Sequence, residues 1–155
     1  MTTLDLLGVV LTLGLTLALA VVAVSPARAQ EEIRGRAKVL SSDTLEVSGK
    51  RYRLFGIIGP AKDQKCRAGA LPWLCGNAAY NHLVEHAEGK LVTCVDKGIS
   101  DDKKPVALCK AEGRDLGYTQ VRAGWANADR KSDAGYENAE MAARGSKIGF
   151  WKGTQ

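Results

Sequence analysis

The sequence predicts an α+β fold, a five-stranded barrel capped by three helices, and two observations support this. Apolar and polar residues alternate in three short stretches, followed by a segment with helical spacing, two more alternating stretches and two more helical segments. The chain has 155 residues, enough for one compact domain with a real core but too few for a multidomain enzyme. Its 22 Lys and Arg outnumber 17 Asp and Glu, so the net charge of +5 suits an anionic partner.

The first 29 residues resemble an export signal. Residues 6–24 form an almost unbroken apolar run, and Ala27-Arg28-Ala29 places small residues at the two positions that a signal peptidase reads. We expect residues 1–29 to be a signal peptide, and residues 30–155 to fold in the periplasm or outside the cell. Residues 1–5 lack Lys or Arg and carry Asp5, and the run is nearly long enough to span a bilayer. An uncleaved membrane anchor is therefore the alternative.

Three strands are predicted at the start of the mature domain. Residues 33–40, 44–47 and 50–57 each alternate in the manner of a half-buried strand. Ser and Asp residues at 41–43 and Ser48-Gly49 supply the turns between them. A meander of three antiparallel strands follows from this order.

The second half of the domain is predicted to alternate helices with a hairpin. Residues 60–73 are rich in Gly, Pro and charge and predict a loop, and residues 74–86 then take helical spacing that Gly89 ends. Strands at 91–95 and 106–111 form the hairpin, and helices at 115–123 and 136–144 follow. The oligonucleotide/oligosaccharide-binding (OB) barrel is the common small fold with this order.

Four cysteines, an even number in a small exported domain, predict disulfides. Three pairings are possible, and we favour the two local ones, since the second joins both strands of the predicted hairpin. These pairs are Cys66–Cys75 and Cys94–Cys109. A zinc site would need more closely spaced cysteine pairs, which the sequence lacks.

Six segments match the order and spacing of exported thermonuclease-like (staphylococcal-nuclease-like) domains, which the chain resembles over residues 33–153. They are SDTLEV (42–47), YRLFGI (52–57), Pro60 with QKC (64–66), WLCG (73–76), GWA (124–126) and GFWKG (149–153). The resemblance implies an OB barrel with three helices. In active members it also implies calcium-dependent cleavage of DNA or RNA phosphodiesters.

The catalytic set implied by this resemblance is broken. Active members need carboxylates for calcium, a glutamate that activates water and two arginines that stabilise the phosphoryl oxygens. Asp43 matches the first calcium carboxylate and Arg53 the first arginine. Ile58 and Ala61 occupy the positions of the second metal carboxylate and the glutamate. Lys104 occupies the position of the second arginine. A lysine there keeps the positive charge but cannot form the two parallel hydrogen bonds of a guanidinium.

Catalysis is therefore predicted to be impaired, and no cofactor is expected unless residual nuclease activity retains calcium. Asp63, two residues beyond Ala61, is the nearest carboxylate that could substitute. The alternative roles are structural. Asp43 would then cap backbone groups of its turn, and Arg53 would simply pair with Asp43.

Basic residues in two regions of the sequence predict a footprint for a polyanion on one barrel face. They are Lys50, Arg51, Arg53, Lys103 and Lys104. An ordinary solvated face is the default interpretation of such residues, and the footprint is the functional one. The aromatic residues have the spacing of core and helix-docking positions rather than of a base-stacking platform. These are Tyr52, Phe55, Trp73, Trp125 and Trp151.

A second motif, His82-Leu83-Val84-Glu85-His86, has the H-x-x-E-H pattern of inverted zinc peptidases. The signal is weak, because those enzymes need a third ligand and a much larger fold. The thermonuclease-like resemblance already accounts for this helix.

Two classes of function remain open. The first is a binding or accessory module that holds nucleic acid, another anionic polymer or a protein partner outside the cytoplasm. Because some members of the resembled family are associated with exopolysaccharide production, an anionic polysaccharide is as admissible as nucleic acid. The second is a weak calcium-dependent nuclease that keeps Asp43 and Arg53. Product formation that depends on metal distinguishes the two.

Overall fold

The computed structural model describes residues 31–68 and 70–153. The predicted signal peptide, with its alternative as an anchor, lies outside these residues. The secondary structure runs β1 (Glu32–Val39), β2 (Thr44–Val47), β3 (Lys50–Leu54), β4 (Ile57–Ile58), β5 (Cys66–Ala68), β6 (Leu71–Trp73), α1 (Cys75–Ala87), β7 (Leu91–Ile99), β8 (Pro105–Ala111), β9 (Arg114–Asp115), α2 (Leu116–Arg122), β10 (Asn127–Ala128), α3 (Ala134–Gly145) and a 3-10 turn (Gly149–Trp151). No helix within the described residues is long and apolar enough to cross a membrane.

The predicted barrel is confirmed. Its strands are hydrogen-bonded in the order β3-β2-β1-β7-β8, and β3 closes the circle by pairing with β8 in parallel. The closing register places Arg53 beside Val106 and Leu54 beside Ala107. This two-residue pairing joins β3 to β8 and closes the sheet into a barrel.

The third strand ends earlier than the sequence pattern predicts. It stops at Leu54, because Gly56 adopts a φ of +82°, a left-handed conformation that favours glycine. A side chain at Gly56 would also collide with the ring of Tyr136, whose carbons lie 2.6–2.7 Å from the position of a Cβ. The chain then continues as the short strand β4, which pairs with β10.

Both predicted disulfides are present. Cys94 and Cys109 are direct neighbours on β7 and β8, so this bond crosses the hairpin inside the barrel. Cys66 and Cys75 join β5 to the first residue of α1. On the chain-entropy model each bond stabilises the fold by about 3 kcal/mol.

The core fills the barrel and the space beneath α1. The buried residues of α1 recur on one face of the helix, and Leu83 is its largest member. It belongs to the same hydrophobic cluster as Leu45, Val92 and Val121, which come from β2, β7 and α2.

Replacing Leu83 by alanine tests this core. Leu83 is completely buried, so Leu83→Ala should lower the free energy of unfolding by about 2–5 kcal/mol through lost transfer energy and the cavity left behind. Urea denaturation measures the change. The matched control is Leu71→Ala, because Leu71 is 75% exposed and should change stability by less than about 0.5 kcal/mol. Equal losses in the two variants would contradict the assigned core.

Candidate functional site

Asp43 and Arg53 lie together at one end of the barrel. Asp43 ends the turn before β2, and β2 pairs with β3 so that Thr44 lies opposite Arg53. The register therefore brings the Arg53 guanidinium near the carboxylate, with Nη2 3.6 Å from Oδ2. Both side chains are largely buried, 22% exposed for Arg53 and 14% for Asp43.

The carboxylate of Asp43 is occupied by donors from its own surroundings. Its Oδ1 accepts hydrogen bonds from the hydroxyls of Ser41 at 2.8 Å and Thr44 at 2.9 Å. Its Oδ2 accepts the backbone N–H of Gly59 at 3.2 Å. Glycine permits this close approach, since a Cβ at position 59 would lie 2.8 Å from the Asp43 Cβ. This is the local capping role that the turn residues suggest.

The two positions expected to carry further acids hold aliphatic residues. Ile58 directly precedes Gly59 and is 48% exposed. Ala61 is also exposed, and its carbonyl accepts the N–H of Gln64 at 3.0 Å. Within residues 31–68 and 70–153, no group of three or more His, Cys, Asp or Glu side chains could hold a metal ion, so Asp63 completes no such set.

A second carboxylate, which the sequence did not single out, binds the other side of Arg53. Asp102 Oδ1 lies 3.2 Å from Arg53 Nη1, and its Oδ2 lies 2.8 Å from the Lys104 ammonium. The hydrogen bond from Lys104, followed by that from Ser100, holds the pKa of Asp102 well below its usual range. Asp43, Arg53, Asp102 and Lys104 thus form a row of alternating charge.

A cleft of about 580 Å³ opens beside this row. Its apolar wall includes Phe55, Ile58 and Ile99. The charged residues of the lining are three cations and three carboxylates, so their formal charges cancel. These are Arg53, Lys97 and Lys131 with Asp101, Asp102 and Asp129.

The predicted polyanion footprint divides between the two ends of β3. Lys50 lies 2.9 Å from Glu31, and this bond raises the pKa of Lys50. Arg51 lies 3.3 Å from Glu46. Arg53 and Lys104 share Asp102 at the far end of the strand, where Lys103 is exposed and forms no ion pair within the described part of the chain. Four of the five cations therefore each lie beside a carboxylate.

The two histidines of the H-x-x-E-H segment take part in the packing of the helices. His82 Nδ1 hydrogen-bonds to the side-chain oxygen of Gln120, which is almost completely buried. The amide nitrogen of Gln120 donates to Ser42 O at 2.9 Å and to Ala79 O at 3.0 Å. Burial lowers the pKa of His82, and His86 Nδ1 contacts His82 O at 2.8 Å. Gln120 thus ties α1, α2 and the turn before Asp43 together.

The aromatic residues serve packing, as the sequence predicts. Tyr52 is buried in the barrel. Trp73 packs edge-on against Trp125 at 6.0 Å between ring centroids. The guanidinium of Arg144 lies 4.0 Å from the centroid of the Trp151 ring, a cation–π contact that holds the C-terminal turn against α3.

The closed five-stranded barrel with three helices is compatible with a thermonuclease-like domain. No protein-family model matches the chain. It is 30% identical over 147 residues to succinoglycan biosynthesis protein ExoI of Rhizobium meliloti (strain 1021), an alignment that covers 91% of this chain and 75% of that protein. The chain therefore belongs to the ExoI family.

The role of Asp43 as a turn-holding residue is testable by Asp43→Asn. The amide keeps one accepting oxygen for the hydroxyls of Ser41 and Thr44 but replaces the other by an NH2 group, which cannot accept the Gly59 N–H, so the free energy of unfolding should fall by about 1–3 kcal/mol. Urea denaturation measures the fall, and Asp63→Asn, at an exposed loop position, serves as control. A carboxylate kept free for a ligand often destabilises the fold. An Asp43→Asn variant as stable as the unmodified protein would therefore contradict the structural role.

Proposed function

We propose that the protein is an accessory protein of exopolysaccharide production that acts in the periplasm or outside the cell and binds an anionic polymer without cleaving it. Membership of the ExoI family supports the process, since ExoI is named for succinoglycan biosynthesis. The two disulfides support the compartment, because such bonds persist in oxidising surroundings. The positive net charge supports an anionic ligand.

The occupied carboxylate of Asp43 is the observation on which the absence of cleavage rests. Calcium takes about 6–8 oxygen ligands, several of them from carboxylates. Asp43 offers one carboxylate, which already accepts three hydrogen bonds and lies beside Arg53. A calcium ion at this point would have to displace these partners.

Each of the two replaced acids would lower the rate of phosphodiester cleavage in its own way. An aliphatic residue at position 58 contributes no metal ligand, and alanine at 61 contributes no general base. General-base assistance is typically worth about 10²–10⁴ in rate. A lost donor to the phosphoryl oxygens, as expected at Lys104, costs roughly 10²–10³. These losses together support a protein that holds a polymer rather than one that hydrolyses it.

Nucleic acid is the other anionic polymer that the charge would suit. The name of the relative favours a polysaccharide, because it places that protein in the synthesis of one. The weak calcium-dependent nuclease remains the second candidate, supported by the retained proximity of Asp43 and Arg53.

A nuclease assay separates these two candidates. With calcium and single-stranded DNA the purified protein should yield no product that either a chelator or Arg53→Ala abolishes. Product that both treatments remove would contradict the proposal and establish the weak nuclease.

A variant with the two acids restored tests whether positions 58 and 61 determine calcium binding. Ile58→Asp with Ala61→Glu restores the two acids that the thermonuclease-like resemblance implies, so this variant should bind calcium at least about tenfold more tightly than the unmodified protein, as expected when ligand charge is added. Isothermal titration measures the affinity. Ile58→Asn with Ala61→Gln is the matched control of similar size without the charge. Equal calcium affinity in all three proteins would contradict the assignment of positions 58 and 61.

A further inference from the structure

A second basic surface lies on the outside of the barrel, away from Arg53. It is a depression of about 600 Å³ over β1, β7 and β8, here called the outer groove. Its lining is Arg34, Lys90, Leu91, Thr93, Lys110, Glu112 and Gly113. The sequence pattern did not single it out, because its cations come from distant segments of the chain.

Strand register brings the cations of the outer groove together. Arg34 on β1 lies opposite Thr93 on β7, and Thr93 lies opposite Lys110 on β8. Val92 and Cys94, the neighbours of Thr93, are buried in the barrel, so this cross-strand row faces outward. With adjacent strands about 4.7–4.9 Å apart, Arg34 and Lys110 flank Thr93 at two strand spacings, roughly 10 Å.

The charge of the outer groove is not cancelled as it is in the cleft. Arg34 and Lys110 form no ion pair within residues 31–68 and 70–153. Glu112 is the one carboxylate among the described lining residues, and it lies 3.7 Å from the Lys90 ammonium and also pairs with Arg114 outside the lining. The lining therefore carries three cations and one anion. Arg36 and Lys38 are also exposed on this face of β1, where Lys38 lies opposite Glu46 and Glu32 is a further exposed carboxylate.

The other lining groups indicate what kind of anionic polymer fits. Arginine and lysine suit carboxylates, while the Thr93 hydroxyl and the Glu112 carboxylate accept hydrogen bonds from hydroxyl groups. Leu91 is 50% exposed and offers apolar contact to a ring face. The lining contains no aromatic residue, whereas proteins that hold single-stranded nucleic acid typically stack its bases on aromatic side chains.

We infer that the outer groove binds a carboxylate-bearing polysaccharide, with Arg34 and Lys110 contacting carboxylates and Thr93 and Glu112 contacting hydroxyl groups. The inference rests on the proposed function, which supplies the class of polymer. It adds the surface of the protein that binds this polymer, the outer groove. It differs from the footprint predicted around Arg53 and Lys104, where these two cations are already paired with carboxylates.

Binding of polygalacturonate, an acidic polysaccharide, to the purified protein tests the inference. Arg34→Gln with Lys110→Gln should weaken binding by about tenfold or more, because two charge-assisted contacts are lost. Lys65→Gln with Lys147→Gln removes the same charge from exposed residues outside β1, β7 and β8 and should change affinity by less than about threefold. Thermal unfolding checks that both variants remain folded. Raising salt from about 50 to 200 mM should weaken binding by the unmodified protein.

Each contrary result has a distinct meaning. Equal affinities in the two double variants would overturn the outer groove while leaving the proposed function intact. The same holds if Lys103→Gln with Lys104→Gln alone weakens binding, since that result would place the polymer at the other face. Absence of any binding of polygalacturonate by the unmodified protein would overturn the proposed function as well. Tighter binding of single-stranded DNA, lost in the Arg34/Lys110 variant, would overturn the polysaccharide assignment.

Discussion

The carboxylate of Asp43 fixes the geometry of one end of the barrel. It holds the hydroxyls of its own turn on one oxygen and the backbone of Gly59 on the other. Ser42 reinforces this junction, since its hydroxyl donates to Pro60 O at 2.6 Å and its carbonyl accepts the buried Gln120 amide. The turn before β2, the segment after β4 and helix α2 are therefore joined by polar contacts that face little competing water.

On the proposed function, this junction accounts for a barrel compatible with the thermonuclease-like class that is kept without nuclease activity. A metal centre needs negative potential that the fold does not itself neutralise. Here Arg53 pairs with Asp43, whose oxygens also accept local hydrogen bonds, and Asp102 pairs with the other nitrogen of the Arg53 guanidinium. Unpaired positive charge lies instead on the outer strands, where the proposed polymer would bind without entering the cleft. The same barrel can thus serve as a scaffold for binding on its outside.

Much of the fold is predictable from the sequence, because the relevant signals are local. Alternation of apolar residues gives the strands, and the short separations of the cysteines give both disulfides. The position of Gly56 could not be used, since glycine is as compatible with an extended strand as with the left-handed turn that ends β3 here.

The site was only partly predictable. The resemblance pointed to Asp43 and Arg53, and the structure does bring them together. It could not reveal that Asp102 would form an ion pair with Arg53, because this contact depends on how the tip of the β7–β8 hairpin packs against β3. Gln120 gave no signal either, since a polar residue in a helical segment is ordinarily exposed. Arg34, Thr93 and Lys110 lie in one row because of the register between β1, β7 and β8. The sequence pattern does not specify this register for outward-facing positions.

The backbone amide of Gly59 reports most directly on whether the Asp43 carboxylate is satisfied within the fold. Its N–H points at Oδ2, so its NMR resonance would respond to any ion that takes that oxygen. Titration with calcium up to about 1 mM, the range of weak extracellular sites, should leave this resonance unchanged. A saturable shift of the Gly59 amide, reversed by a chelator and absent in Asp43→Asn, would show that the carboxylate binds the metal after all.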